Sequence, residues 1–189
     1  MEKLEKKNGM EKLMLETLME QQREYFASGA TLPVKVRMEA LSRLEKALQK
    51  QEQILCKALH TDLGKSKTES VMCEIGLVQG EIRWMKQHLG RLCRTKHVRT
   101  PLAQFAAKSY QSPSPYGNVL IMSPWNYPVL LTLEPLVDAI AAGNTAVVKP
   151  SAYAPASANA LKDLLEECFP PEYVLSLIHI SEPTRHAQI

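Results

Sequence analysis

Two polar residues that could carry chemistry follow two short apolar runs. Asn126 lies in SPWNYP (123–128), directly after VLIM, and Lys149 begins KPS, directly after TAVV. An amide held between prolines can donate to a developing oxyanion, and an ammonium beside a serine hydroxyl can hold a ribose or a phosphate. Each residue also has a plainer interpretation, as a helix cap or turn residue for Asn126 and as a solvated strand end for Lys149.

The remaining candidates for chemistry are an aromatic residue and the thiols. Trp125 could form a wall of a cofactor channel or simply pack against its neighbours. Cys168 is a possible nucleophile, but it lies at the apolar end of a predicted helix with no histidine nearby in sequence, so we expect a buried, inert thiol. With Cys56, Cys73 and Cys93 it forms no CxxC pair and no metal-type spacing with histidine. Neither a metal site nor a disulfide framework is predicted.

The first ninety residues are predicted to be helical. Apolar residues recur at intervals of three to four positions, which is the period of an amphipathic helix. The first predicted helix covers about 10–26, a second begins at Pro33, a third segment runs through Ile54 as far as Gly64, and a fourth covers about 68–89. The predicted apolar stripes include Leu13 and Met14 in the first helix and Val78, Ile82 and Leu89 in the fourth. Residues 98–110 lack that period, contain a proline and predict an extended or hairpin-like segment.

The second half of the chain predicts an α/β fold. The runs 119–122 and 145–148 are typical of buried parallel strands, and helices are expected over about 129–142 and 156–168, with a third strand near Val174. Strand, helix, strand, helix begins a Rossmann-like doubly wound parallel sheet. Ligands bind beyond the carboxyl ends of such strands, so SPWNYP and KPSAYAP should face one crevice. The first turn lacks a GxGxxG motif, which argues against an ordinary pyrophosphate loop.

Composition and charge exclude several classes of protein. The chain has 189 residues, 45% of them hydrophobic and 23% charged, with a formal net charge of +3, as in a soluble globular protein. The basic residues between Glu81 and Glu134 have no accompanying nucleic-acid motif and predict a solvated surface, so no nucleic-acid partner is expected. The uncharged stretch 109–133 is interrupted by prolines, so no membrane span is predicted. The charged N-terminal sequence is unlike a secretory signal, and a cytoplasmic location is expected.

The motifs around both candidate loops resemble a known family. The segment YGNVLIMSPWNYPVLLTLEPLVDAIAAGNTAVVKPS (116–151) is similar to the cofactor-domain signature of the aldehyde dehydrogenase superfamily, with its PWN[FY]P turn and its GN-x-V-[VI]-x-KPS run. Upstream, QQREYFASGATLPVKVRMEALSRLEKAL resembles the opening helices of the class 3 branch. The resemblance covers roughly 11–174.

The resemblance implies a role for each residue of the two loops. Asn126 corresponds to the catalytic asparagine that stabilises the oxyanion after a cysteine thiolate attacks the aldehyde. Lys149 corresponds to the lysine that holds the adenosine ribose, and Trp125 lies on the nicotinamide side of the cofactor. Pro124, Asn126 and Ser151 are also expected at the cofactor, which is NAD or NADP. Many family members carry a glutamate where this chain has Ala152, and losing that carboxylate predicts that NADP is tolerated alongside NAD.

The same resemblance implies how the chain is organised into regions. It comprises a helical region (1–97), a hairpin of the type that joins subunits into a homodimer (98–115), a partial NAD(P)-binding domain (116–174) and a tail (175–189). The tail, containing LSLIHISEPTR, resembles a translated sequencing adapter and is predicted to be non-native.

The family's catalytic cysteine and glutamate normally lie beyond 174. The chain is therefore expected to be an N-terminal fragment, inactive alone, of an enzyme that oxidises small-molecule aldehydes to carboxylates. The alternatives are a semialdehyde-reducing or acylating member of the superfamily, or a non-catalytic helical interaction module.

Overall fold

The computed structural model describes residues 2–177, with side chains from residue 13 onwards; the predicted non-native tail lies largely outside them. The helices are α1 (Glu2–Ala27), α2 (Val34–Leu63), α3 (Lys67–Ser70), α4 (Gly76–Leu92), α5 (Leu130–Ala142) and α6 (Pro155–Cys168). A π-helical segment (Val71–Ile75) joins α3 to α4, and a short 3-10 turn covers Leu102–Gln104. The strands are β1 (Lys96–Val98), β2 (Ser109–Gln111), β3 (Asn118–Met122), β4 (Thr145–Lys149) and β5 (Val174–Ser176).

The α/β unit has the predicted order of elements. β3, β4 and β5 form a parallel sheet in that order, with Asn118 opposite Thr145 and Ala146 opposite Val174. Every residue of β4 except the last is buried, which explains its continuous apolar sequence. β1 and β2 pair antiparallel, so the segment without helical period is indeed a hairpin.

The helix α2 runs unbroken from Val34 to Leu63, so the separate third segment predicted from the sequence was wrong. The polar residues 49–53 separate the two apolar stretches, but glutamine, lysine and glutamate all favour helices. Gln51 is buried, and its Nε2 donates to Glu167 Oε2 of α6 at 2.7 Å. Ile54 is 57% exposed, so it does not belong to the core as its apolar character suggested.

The predicted fourth helix is divided by the π-helical segment. The amide of Gly76 donates to the carbonyl of Val71, and a Cβ at Gly76 would lie only 2.7 Å from that oxygen. Glycine therefore permits the wider turn. The segment contains Glu74, which is completely buried, and α4 then presents the predicted apolar residues Val78, Ile82 and Leu89 to the core.

The first helix is attached to the sheet by a polar residue. Leu13 and Met14, expected on its apolar stripe, are 65% and 66% exposed. Gln22 is instead fully buried, and its Nε2 donates to the carbonyls of Ala146 and Pro171, at 3.0 Å each. These bonds join α1 to the start of β4 and to the turn before β5.

One hydrophobic cluster extends through helices and sheet. α2 packs against α4, α5 and α6, and its buried Leu41, Leu44 and Leu48 belong to the same cluster as Ile140 and Leu161. The apolar face of α2 is thus occupied by the α/β unit, unlike in a free-standing helical bundle. Among residues 2–177, no helix combines the length and apolarity needed to cross a membrane.

The close approach of Gly143, at the end of α5, to Arg37 of α2 provides a test of how these two helices pack. Gly143 has a φ of 92°, and a Cβ there would lie 2.9 Å from Cζ of Arg37. The buried Arg37 guanidinium cannot move easily, because it donates to the carbonyls of Thr31 and Ala141, at 3.0 Å each. Gly143→Ala should therefore lower the free energy of unfolding by at least the ~1–2 kcal/mol of a left-handed alanine, measured by urea denaturation.

Gly90 provides the matched control for this substitution. It lies within α4, and a Cβ there would meet nothing within 4 Å. Gly90→Ala should raise stability by about 0.5–1 kcal/mol, because alanine loses less conformational entropy in a helix. Equal effects of the two substitutions would contradict the proposed collision with Arg37.

Candidate functional site

The two candidate loops leave the same edge of the sheet side by side. Met122 and Lys149 are register partners at the carboxyl ends of β3 and β4, and the amide of Ser123 donates to the Lys149 carbonyl at 3.2 Å. This edge is where ligands bind in open α/β sheets. The structure therefore places the starts of SPWNYP and KPSAYAP together.

The SPWNYP turn is fixed at both ends and exposed in the middle. The buried hydroxyl of Ser123 accepts from Thr132 Oγ1 at 2.6 Å, and Pro128 and Val129 are buried at the other end. Between them, Pro124 and Asn126 are exposed, and Trp125 is 52% exposed. The side chains with a predicted role at the ligand are thus the accessible ones.

Glu74 caps the helix that follows this turn. Its Oε2 accepts from the amides of Val129 and Leu130 at 2.8 and 3.1 Å, which satisfies N–H groups that have no partner within α5. A carboxylate at a helix N-terminus also interacts favourably with the helix dipole. The helix-capping role considered for Asn126 is therefore performed by Glu74, and the Asn126 amide is not needed for it.

Lys65 binds both Glu74 and the turn. Its Nζ lies 2.5 Å from Glu74 Oε1 and donates to the Asn126 carbonyl at 3.0 Å. The same atom lies 3.9 Å from the centroid of the Tyr127 ring, a cation–π distance. The side chains of Lys65 and Glu74 are only 9% and 0% exposed, so the ion pair is shielded from water.

The second loop is held in a similar way. Asp62, at the end of α2, accepts from the amides of Ala156 and Ser157 at 3.1 and 2.7 Å and so caps α6. The hydroxyl oxygen of Ser151 accepts from the Tyr153 amide at 3.2 Å, which closes the turn before the helix. Lys149 is half-buried at the strand end.

Sequence reasoning did not identify Asp62, Lys65 or Glu74 as site residues. Asp62 and Gly64 were interpreted as the end of a helix, which is correct: Gly64 has a φ of 68° and follows α2. The available signal was the pair of opposite charges on Lys65 and Glu74, nine residues apart. Charge alone does not distinguish a buried pair from a solvated one.

Comparison with known proteins agrees with the fold. The sequence model described as "Aldehyde dehydrogenase family" matches residues 5–189. Among curated relatives, the 4,4'-diaponeurosporen-aldehyde dehydrogenase of Staphylococcus aureus is 43% identical over 150 residues, 79% of this chain and 33% of the relative. Human aldehyde dehydrogenase family 3 member B1 is 41% identical over 152 residues, 80% of this chain and 31% of the relative. The chain belongs to the aldehyde dehydrogenase family, and its relatives include class 3 members.

Solved structures support the same family and fold. The substrate-bound state of Staphylococcus aureus AldH superposes with a TM-score of 0.84 at 40% identity, covering 86% of this chain and 36% of that one. Two solved structures with a similar fold hold a dinucleotide: the P. syringae AldA indole-3-acetaldehyde dehydrogenase (TM-score 0.72, 25% identity) holds NAD+, and the succinic semialdehyde dehydrogenase of Streptococcus pyogenes (TM-score 0.74, 19% identity) holds NADP+. The chain thus spans about a third of the length of the proteins it matches.

The environment of the cysteine thiols allows a test of whether Cys168 is an inert thiol rather than a nucleophile. Burial, together with Glu167, raises the pKa of Cys168 to about 11, and burial also raises the pKa of Cys56. Cys73 and Cys93 are only partly buried. At about pH 8, iodoacetamide should alkylate Cys73 and Cys93 well before Cys168 and Cys56, because the thiolate is the nucleophile. Peptide mass spectrometry measures the order, and rapid alkylation of Cys168 in the folded chain would reopen it as a nucleophile.

Proposed function

We propose that this chain supplies the oxyanion donor and the ribose-binding side of the crevice in an NAD(P)-dependent aldehyde dehydrogenase that oxidises aldehydes to carboxylates. The observation that carries the proposal is the exposed Asn126 at the carboxyl edge of β3. Its main chain is held by Lys65, and the capping role is taken by Glu74, so its amide remains available for a ligand.

The Asn126 amide donates to the oxygen that gains negative charge when the aldehyde carbonyl is attacked. A donor that is already in place needs no reorganisation as the charge develops, which is the physical basis of oxyanion stabilisation. The resemblance to the family implies that the attacking cysteine lies beyond residue 174. Asn126 therefore forms one side of a site that the downstream part of the enzyme completes.

The donor groups at the sheet edge fit a dinucleotide. Lys149 carries an ammonium that can bind ribose hydroxyls or phosphate. The Ser151 hydroxyl oxygen accepts from the Tyr153 amide, which leaves the hydroxyl proton to donate to a ligand. The half-exposed Trp125 and the adjacent Pro124 provide an apolar wall for a flat ring. When bound, NAD or NADP supplies the hydride acceptor of the oxidation.

We further propose that the enzyme is a homodimer in the cytoplasm. The turn between β1 and β2 exposes Leu102 and Phe105 by 89% and 85%, which supports the hairpin as a contact between subunits of a homodimer. The cysteines are free thiols, which agrees with a reducing cytoplasm.

The first test removes the amide of Asn126. A chimera joining residues 1–174, which exclude the predicted non-native tail, to the part of Staphylococcus aureus AldH that follows them supplies the downstream part of an enzyme. Asn126→Ala in this chimera should lower kcat by about 10²–10³-fold, the usual cost of losing one oxyanion donor, measured as aldehyde-dependent reduction of NAD or NADP.

Asn159→Ala is the matched control, because Asn159 is exposed on α6 and its side chain donates to the Pro155 carbonyl at the start of the same helix. It should leave kcat unchanged. The 189-residue chain alone should show no turnover. An active Asn126→Ala chimera, or turnover by the chain alone, would contradict the proposal.

The second test concerns the choice of cofactor. Ala152 is exposed directly after Ser151, with no carboxylate at that position to repel a 2′-phosphate. The chimera should therefore use both NAD and NADP. Ala152→Glu should raise the KM for NADP by about tenfold, equivalent to ~1.4 kcal/mol, and change that for NAD little. Strict preference for NAD in the chimera before substitution would refute the argument from Ala152.

A further inference from the structure

The pair formed by Lys65 and Glu74 is unusual because it is charged, buried and directed at a functional turn. The Lys65 ammonium has three N–H donors, and three partners surround it: Glu74 Oε1 at 2.5 Å, the Asn126 carbonyl at 3.0 Å and the face of Tyr127 at 3.9 Å. Glu74 accepts from Lys65 with one oxygen and from the Val129 and Leu130 amides with the other. Both charged groups are thus fully engaged.

Stability alone does not explain a charged pair at this place. Removing two charges from water is costly, and well-packed apolar residues often replace a buried ion pair without loss of stability. An apolar pair could not bind the Asn126 carbonyl or the amides that begin α5. The charges therefore do something specific: they hold both sides of residues 126–130.

We propose that Lys65 is the positioning residue for Asn126. Its ammonium fixes the carbonyl of Asn126, and with it the backbone torsion that directs the side-chain amide of the same residue. Glu74 orients Lys65 and fixes the start of α5. Gly64, in the left-handed region at φ 68°, lets the chain turn out of α2 between the cap at Asp62 and Lys65. The catalytic consequence rests on the proposed function of Asn126; the positioning itself does not.

The first experiment observes Asn126 directly in the 189-residue chain. With selective ¹⁵N labelling of asparagine, nuclear magnetic resonance resolves the backbone and side-chain amides of Asn126, with the other asparagines as references. Lys65→Met should shift and broaden both Asn126 signals. Lys65→Arg keeps the charge and N–H donors but places them on a larger planar group, so it should displace the Asn126 signals less than Lys65→Met does.

Lys86→Met is the matched control. Lys86 Nζ lies 2.8 Å from Glu45 Oε2, and this pair joins α4 to α2 rather than to the turn. Its side chains are also more exposed, at 27% and 17%. It should leave the Asn126 signals unchanged. Signals of Asn126 that respond equally to Lys65→Met and Lys86→Met would overturn the proposal.

A double variant separates positioning from folding. Lys65→Met with Glu74→Gln removes both buried charges while the glutamine oxygen can still accept from the amides of α5. It should recover most of the stability lost in Lys65→Met, since no unpaired charge remains. The Asn126 signals should nevertheless stay displaced. If they return to their native positions with stability, Lys65 acts only through folding and the proposal fails.

The second experiment measures catalysis by the chimera. Lys65→Met should lower kcat by about 10–100-fold, the scale expected when a catalytic group is displaced by about an ångström, with the KM for the cofactor nearly unchanged. If Lys65 acts through Asn126, the same substitution should have little effect on kcat in the Asn126→Ala chimera. Additive losses would show that Lys65 acts by another route.

The two experiments distinguish failure of the positioning proposal from failure of the proposed function. Displaced Asn126 signals together with a fully active Asn126→Ala chimera would leave Lys65 as a positioning residue and refute the oxyanion role. Undisturbed signals together with an inactive Asn126→Ala chimera would refute the positioning role alone.

Discussion

The buried carboxylate of Glu74 is the interaction on which the candidate site depends. It accepts from Lys65 and from the two amides that begin α5, and its side chain is fully buried. An unpaired carboxylate at this position would be very costly, so its three donors are held together in space. Those donors come from the helical region and from the turn after β3. A single group thus joins parts of the chain that are distant in sequence.

Asp62 repeats this arrangement at the neighbouring helix. Each crossover helix begins with amides that lack partners within the helix, and each is capped by an acid from residues 62–74 rather than by a residue of its own loop. Ordinary N-caps are local, but the N-cap residues here are Val129 and Ala154, whose side chains cannot accept a hydrogen bond. Because the caps come from elsewhere, the side chain of Asn126 is not needed to cap α5. The helical region therefore acts as a support for the crevice.

The sequence was sufficient to predict the individual helices and strands, but it was not sufficient to predict which of their side chains are buried against other elements. Continuous apolar runs predicted β3 and β4, and the helices expected after each strand agree with α5 and α6 nearly to the residue. Periodicity failed for Leu13 and Met14, which are exposed, and polarity misled at 49–53, where α2 continues. In each case burial depends on what packs against the segment, and the segment itself does not contain that information.

The candidate site shows the same division. The order of elements was enough to bring SPWNYP and KPSAYAP to one edge, because the carboxyl ends of adjacent parallel strands coincide. The resemblance of those motifs to a family then implied roles for Asn126 and Lys149. Only the tertiary structure showed that Lys65, 61 residues from Asn126 in sequence, holds its carbonyl. The helical period and the order of elements along the chain are properties that a sequence determines by itself. The pairing of buried charges depends on which surfaces exclude water, and this is decided only when the helices pack against the sheet.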